Sequence, residues 1–270
     1  MSKTGARRER VPEPVGMDGL DAATAFHRAG SEDGPLAAQY ELCARGMSHL
    51  LGGGGSVLDL GSGSGRFLAY FAKRRPDAQL VGVELSGSMV SLGERMLAEE
   101  GLDDRVQLAQ ADMTACESVV PQRLDLLSCM LALHQLPSAD VLDEALVQVA
   151  RIRARTGCAV WIWDLVRLED DQAMTDWMAQ DPESDAVFRR EALAGEAAAW
   201  TRAELADALG RAGLGDLRHG YSRPPLLQVH WTTARGPGHA EEEVRWREVA
   251  ISSALRRRVM GLRLGFSGLR

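Results

Sequence analysis

Val57-Leu58-Asp59-Leu60-Gly61-Ser62-Gly63-Ser64-Gly65 decides the fold of this chain. A short apolar run ends in an acid and opens into three closely spaced glycines, and Arg66 to Arg75 behind them reads as a helix. Strand, glycine-rich turn and helix N-terminus together build nucleotide sites at the carboxyl ends of parallel strands. Glycine is needed there because it permits tight turns and lets a ligand approach the main chain. The spacing narrows the nucleotide. A dinucleotide fingerprint G-x-G-x-x-G starting at Gly61 requires glycine at position 66, where this chain has Arg66. Gly61, Gly63 and Gly65 form G-x-G-x-G instead.

A glycine triplet alone can be only a turn, so the downstream pattern decides. Gln79-Leu-Val-Gly-Val-Glu84 is a second apolar run ending in an acid, about 20 residues past the glycines. Gln107-Leu-Ala-Gln-Ala-Asp-Met113 gives a third strand, and Leu124-Asp-Leu-Leu-Ser-Cys-Met-Leu-Ala-Leu-His-Gln-Leu136 a fourth with the loop beyond it. In this order the four motifs resemble the class I S-adenosylmethionine-dependent methyltransferases over roughly residues 50 to 230. The resemblance implies a Rossmann-like α/β fold, a seven-stranded mostly parallel sheet with helices on both faces and an antiparallel last strand. It also implies S-adenosylmethionine as cofactor and S-adenosylhomocysteine as product, and says far less about substrate.

The rest of the chain sets the frame. At 270 residues, 45% hydrophobic and 26% charged, the composition is that of one globular domain with an elaboration. No stretch has the length of a membrane span and the N-terminus lacks an apolar signal core, so a cytoplasmic location is expected. Cys43, Cys116, Cys129 and Cys158 are scattered without a C-x-x-C pair, which points to buried thiols and to no metal site. A net charge of −7 argues against a broad nucleic-acid surface.

Residues 1–15, charged and carrying two prolines, are expected to be a disordered tail. Residues 16–51 read as two helices around Gly30-Ser-Glu-Asp-Gly-Pro35 and form a lid. Residues 52–233 hold the cofactor domain, with core helices at about 64–75, 87–100 and 138–154, the latter two capped by Ser86 and Ser138. Cys158 to Asp164 is the fifth strand, and Trp161 and Trp163 on it read as core. Residues 167–198 form a helical insertion anchored by Trp177 and Phe188, and Thr201-Arg-Ala-Glu204 is a capping box. Strands at about 215–222 and 226–233, joined through Pro224-Pro225, complete the sheet, with His230 and Trp231 structural. Residues 234–270 are an extension with a helix over Glu241 to Met260. Its Arg256-Arg-Arg258 complements the helix dipole and reads first as a solvated helix end or a homodimer contact.

What the resemblance implies for the site is specific to residues. Asp59 orients the turn or reaches the methionine ammonium, with a purely structural acid as the alternative. Backbone groups of Gly61, Ser62 and Gly63 face the methionyl and ribose parts, and Glu84 holds the ribose hydroxyls. Leu85 and Met89 are candidates to pack on the adenine, with a purely structural place in the helix core as the alternative for Met89. Asp112 contacts adenine or caps the next turn, and Ala111, Met113 and Cys129 complete the shell. His134 is the candidate general base or substrate contact, and Asp164 either contacts substrate or caps. Phe26, His27 and Tyr40 are candidate lid residues near the substrate. A small-molecule acceptor methylated at oxygen or nitrogen, in specialised metabolism, is the expected function. Position 128–131 holds Ser-Cys-Met-Leu where base and glutamine amino-methylases carry Asn/Asp-Pro-Pro-Tyr/Phe. Three rivals remain: a binding protein that kept the pocket, a cofactor-assisted cyclase, and a dinucleotide-dependent oxidoreductase, which Arg66 disfavours.

Overall fold

The structure is a computed structural model and describes residues 8–14, 20–168, 186–223, 226–232 and 245–268. Seven strands form one sheet: β1 (Ser56–Leu60), β2 (Gln79–Glu84), β3 (Val106–Gln110), β4 (Leu126–Met130), β5 (Ala159–Leu165), β6 (Arg218–Tyr221) and β7 (Leu227–Trp231). Their spatial order is β3-β2-β1-β4-β5-β7-β6. β1 to β5 are parallel, and β7 runs antiparallel between β5 and β6. β4 is buried at every residue and β1 at all but its first. Strands covered on both faces have no solvent side, so they read as unbroken apolar runs.

The helices are α1 (Leu20–Ala29), α2 (Ala37–Leu51), α3 (Arg66–Arg74), α4 (Gly87–Glu99), α5 (Ala139–Thr156), α6 (Ala186–Ala198), α7 (Arg202–Arg211) and α8 (Ser253–Gly265). Local signals set their starts. Ser86 and Ser138 accept from the amides of Met89 and Val141, and Thr201 and Glu204 form a reciprocal capping box. One face of the sheet packs α2 and α3 around Trp161, Trp163 and Phe71; the other packs α5 and α7 around Ile162, Leu146 and Leu205. Trp163 donates its indole N–H to Gln39 Oε1 at 2.9 Å. The core reading of both tryptophans holds, and all four cysteines are free and buried.

Two expectations need correction. Residues 8–14 are docked, not disordered. Arg8 pairs with Glu196, and the Arg10 guanidinium lies 3.8 Å over the Trp200 ring. Arg10 also donates to the carbonyls of His134, Leu136, Pro137 and Ala198. Five-donor arginine satisfies a cluster of loop carbonyls that no helix or strand would satisfy. The C-terminal helix begins at Ser253 instead of Glu241, because Ser252 caps it on the amide of Leu255. Arg256 to Arg258 therefore occupy its first turns, where the dipole favours acids, and the dipole argument for them fails. Arg258 instead donates to the carbonyls of Gly34 and Pro35. Residues 1–7 and 15, Trp177, the Phe188 side chain, Pro224-Pro225 and Glu241 lie outside what is described.

Candidate active site

β1 lies between β2 and β4, so the chain moves one way across the sheet to β3 and then crosses back to β4. The crevice opened by that reversal, outside the carboxyl ends of β1 and β4, is where doubly wound sheets bind ligands. A cleft stands there, lined by Asp59, Gly61, Ser62, Gly63, Glu84 and Met89 among others. Gly61 and Ser62 donate their amides to the Val83 carbonyl at 2.8 and 2.9 Å, which carries the turn across the end of β2. Gly61 has φ +71°, and a Cβ there would stand 2.3 Å from Ala132 Cβ. Glycine is required at that position on both counts. Gly63 differs: a Cβ would meet only Met89 Cε at 3.8 Å, so its bare Cα opens onto the cleft.

Glu84 closes the far side. Its two carboxylate oxygens accept from Gly63 N and Ser86 N, both at 2.9 Å. Burial pushes its carboxyl up, and those backbone donors pull it back. Each oxygen keeps acceptor capacity for a diol. Asp59 is fully buried and accepts from Ser128 Oγ at 2.6 Å. Burial raises it to about 7, against the Ser128 bond and with a further push from Glu84. Two acids and an open glycine edge in one cleft suit a ligand with a cationic end and a sugar diol.

His134 follows β4 and Asp164 is the next-to-last residue of β5, and the pairing Met130↔Trp163 sets the two strand ends side by side. His134 Nδ1 donates to Asp164 Oδ1 at 2.6 Å. The backbone amides of His134 and Leu165 bind the same carboxylate at 3.1 and 2.7 Å. Asp164 is thus the orienting partner of His134, a role beyond the two expected for it. Burial lowers the His134 imidazole, but Asp164 and then Glu13 outweigh it, and the net shift is upward from 6.5. Nδ1 is held, which leaves Nε2 to act. His134 lines a second cleft, also walled by Phe26, Leu131, Gln135 and Leu165, and the first three of these line the cofactor cleft as well. Leu131, at the junction, has φ +54°, a left-handed conformation unusual for a branched side chain and found at functional turns.

The other expected residues fall in several places. Tyr40 lines the cofactor cleft. His27 is bonded to Ser64 Oγ at 2.8 Å and Arg66 at 2.6 Å, and burial beside that guanidinium lowers it to about 4. Leu85 is 47% exposed and does not line the cleft, whereas Met89 is buried and lines it. Asp112 accepts from the amide and hydroxyl of Thr114, both at 2.8 Å, which is the capping geometry. Ala111 and Met113 pack with Cys129 and Val83 in the core beneath. Gln135, Leu131, Gln39, Glu13 and Glu191 were not singled out by sequence. Gln135 is readable as the neighbour of His134, but nothing local marks Glu13. Among the described residues no group of three His, Cys, Asp or Glu side chains can hold a metal.

The loop that carries His134 is gripped from outside by Arg10 and by Trp200, whose indole N–H donates to the Leu133 carbonyl at 2.8 Å. Arg10→Ala should cost about 1–3 kcal/mol, seen as a lower urea midpoint and faster hydrogen exchange at Gln135 and Leu136. Unchanged exchange there would mean the tail does not hold the loop.

Residues 57–157 match the family model described as a methyltransferase domain. That match agrees with the resemblance of the four motifs to the class I S-adenosylmethionine-dependent methyltransferases. S-adenosylmethionine is the cofactor which that resemblance implies. A carboxy-S-adenosyl-L-methionine synthase from Campylobacter jejuni is 34% identical over 83 residues, 30% of this chain and 35% of that protein. The chain thus spans about a third of the length of the curated relatives it matches. The plantazolicin methyltransferase BpumL, solved with S-adenosylhomocysteine, superposes with TM-score 0.57 at 14% identity, over 79% of this chain and 90% of that one. A methyltransferase from Aquifex aeolicus gives 0.52 at 14% identity, over 79% and 98%. These two share the fold. The residues present fit the cofactor: Glu84 for the ribose, Asp59 for the methionine ammonium, Gly63 for close approach, and no helix of the described residues is long and apolar enough to cross a membrane.

Proposed function

We propose that this protein transfers a methyl group to an oxygen or nitrogen of a small molecule, with specialised metabolism as its setting. The observation that carries this reading is the His134–Asp164 pair, buried and oriented, in a cleft that shares Phe26, Leu131 and Gln135 with the cofactor cleft. When bound, S-adenosylmethionine supplies an electrophilic methyl on a sulfonium, a good leaving group. The protein's own task is then to align an acceptor, exclude water and take one proton. His134 Nε2 takes that proton, while Asp164 fixes the tautomer and stabilises the imidazolium. Glu84 and Asp59 anchor the two ends of the cofactor. Asp112, Ala111, Met113, Leu85, Met89 and Cys129 border its adenine side.

The described parts of the expected lid and insertion, 20–51 and 186–198, wall the acceptor in this reading, while 16–19 and 169–185 lie outside the described residues; Phe26 reaches both clefts. Phe26→Ala should raise KM for the acceptor severalfold, with kcat falling less, because it removes a wall shared by ground and transition states. A fall in kcat at constant KM would remove Phe26 from the acceptor wall. Incubation with S-adenosylmethionine and candidate metabolites tests the function itself. Product heavier by one methylene, with S-adenosylhomocysteine formed in equal amount, is expected. A second reading rests on the carboxy-S-adenosyl-L-methionine synthase relative. Here the cofactor itself is altered and no acceptor is methylated. Consumption of S-adenosylmethionine without S-adenosylhomocysteine would favour that reading. The acceptor is a free small molecule, not nucleic acid or membrane, and the C-terminal extension is a candidate homodimer contact.

A further inference from the structure

The acceptor cleft has an uneven chemistry. Most of its wall is apolar, from Phe26, Leu36, Leu131, Leu165, Leu226 and Leu227. Into this wall project two carboxylates, Glu13 from the docked tail and Glu191 from α6, together with the imidazole edge of His134. His134 is only 4% exposed, and its one side-chain bond is at Nδ1, so Nε2 has no partner among the described residues. Among the described residues Glu13 makes no hydrogen bond either, whereas Glu191 is met from outside by Arg190 at 2.9 Å. Arg10, the nearest tail cation, is spent on four backbone carbonyls. A half-buried carboxylate with no hydrogen bond gains from a ligand that donates one. Apolar walls demand that the rest of that ligand be hydrophobic.

We propose, building on the methyl-transfer reading, that the acceptor is an apolar molecule bearing an aliphatic amine, whose ammonium is recognised by Glu13 with Glu191 beside it. The charge pattern supports the sign of the choice. Burial raises the Glu13 carboxyl; His134 pulls it down, Glu191 and Asp164 push it up, and Arg10 pulls it down again. Two carboxylates line the cleft beside a single imidazole, an arrangement that favours a cation and opposes a carboxylate or phosphate ester. The amine enters as its ammonium, paired with Glu13. One N–H proton passes to neutral His134 Nε2, and the freed nitrogen pair forms the new bond to the methyl carbon. The methyl–sulfur bond breaks, and its electron pair stays on sulfur as a thioether. The proton on His134 balances the lost sulfonium charge. An alcohol offers no charge for Glu13 to meet, and an anionic acceptor is repelled.

The test is binding of three isosteres to the full chain, followed by ligand-observed NMR: hexylamine, 1-hexanol and hexanoate. Hexylamine should bind at least about tenfold tighter than 1-hexanol, with hexanoate weakest. Glu13→Gln should erase that preference while leaving 1-hexanol affinity unchanged, and Glu191→Gln should reduce it less. A shared loss of 1-hexanol binding would show damage to the cleft. In that case Glu13→Asp, which keeps the charge, must restore the preference. Equal binding of amine and alcohol, no amine binding, or a preference that survives Glu13→Gln overturns the proposal. Calorimetry with S-adenosylhomocysteine on the same preparation separates the layers. Tight binding of it without amine preference sinks only the acceptor class, and no binding of it sinks the methyl-transfer reading, whatever the amines do.

Discussion

Replacing His134 by alanine should lower kcat by about 10²–10⁴, the range for loss of a positioned general base. The protein should stay folded and keep its affinity for S-adenosylhomocysteine, because His134 borders the acceptor cleft. The pH profile separates a base from a wall. His134 is raised above 6.5, burial opposing and Asp164 prevailing. A base acts in its neutral form, so kcat/KM should be low in acid and climb through a pKa above 6.5 as pH rises. In Asp164→Asn the opposing burial is no longer outweighed, so that limb should move to lower pH while the plateau falls. Stability carries the opposite sign. The native state holds the His134 proton more tightly than the unfolded chain, so this pair stabilises below about 6.5 and the contribution fades as pH rises through the native pKa. A mutant that keeps its rate, or a wild-type profile flat from acid to neutral pH, would assign His134 to shaping the cleft only.

The central strands of the sheet were legible because they are largely buried on both faces. Val57–Leu60, Leu80–Val83 and Leu126–Met130 have no solvent side to interrupt the apolar run, and each is followed by a glycine turn, an acid or a histidine at the carboxyl edge. Helix starts at Ser86, Ser138 and Thr201 were legible because a cap is a contact within three residues. Contacts at long sequence separation were not. His134 and Asp164 each stood out alone, but their pairing depends on β4 and β5 being neighbours in a given register, 30 residues apart in the chain. Glu13 enters the cleft only because Arg10 reaches carbonyls more than a hundred residues away. A short charged segment with two prolines has the composition of a disordered tail, and no local rule shows that it docks. The helix expected from Glu241 was misplaced for a local reason. The cap at Ser252 was overlooked in favour of a charge pattern.

Glu84→Ala should weaken S-adenosylmethionine binding by roughly 10²-fold or more. A ribose diol on a carboxylate makes two charge-assisted bonds, each about 1.5–3 kcal/mol, and about 1.4 kcal/mol is tenfold in affinity. The loss has a second source on the protein side. Glu84 also receives the amides of Gly63 and Ser86, so alanine frees both the glycine turn and the entry to α4. Glu84→Gln separates the two. The amide keeps one acceptor for the turn, offers an N–H that repels the other backbone donor, and removes the charge, so its defect should lie between wild type and alanine. Calorimetry measures both, with thermal denaturation confirming the fold. If Glu84→Ala binds the cofactor as wild type does, the ribose sits elsewhere in the cleft and Glu84 only braces the turn. If Glu84→Gln is as weak as alanine while its turn amides stay protected from exchange, the charge on the ribose side carries the whole effect.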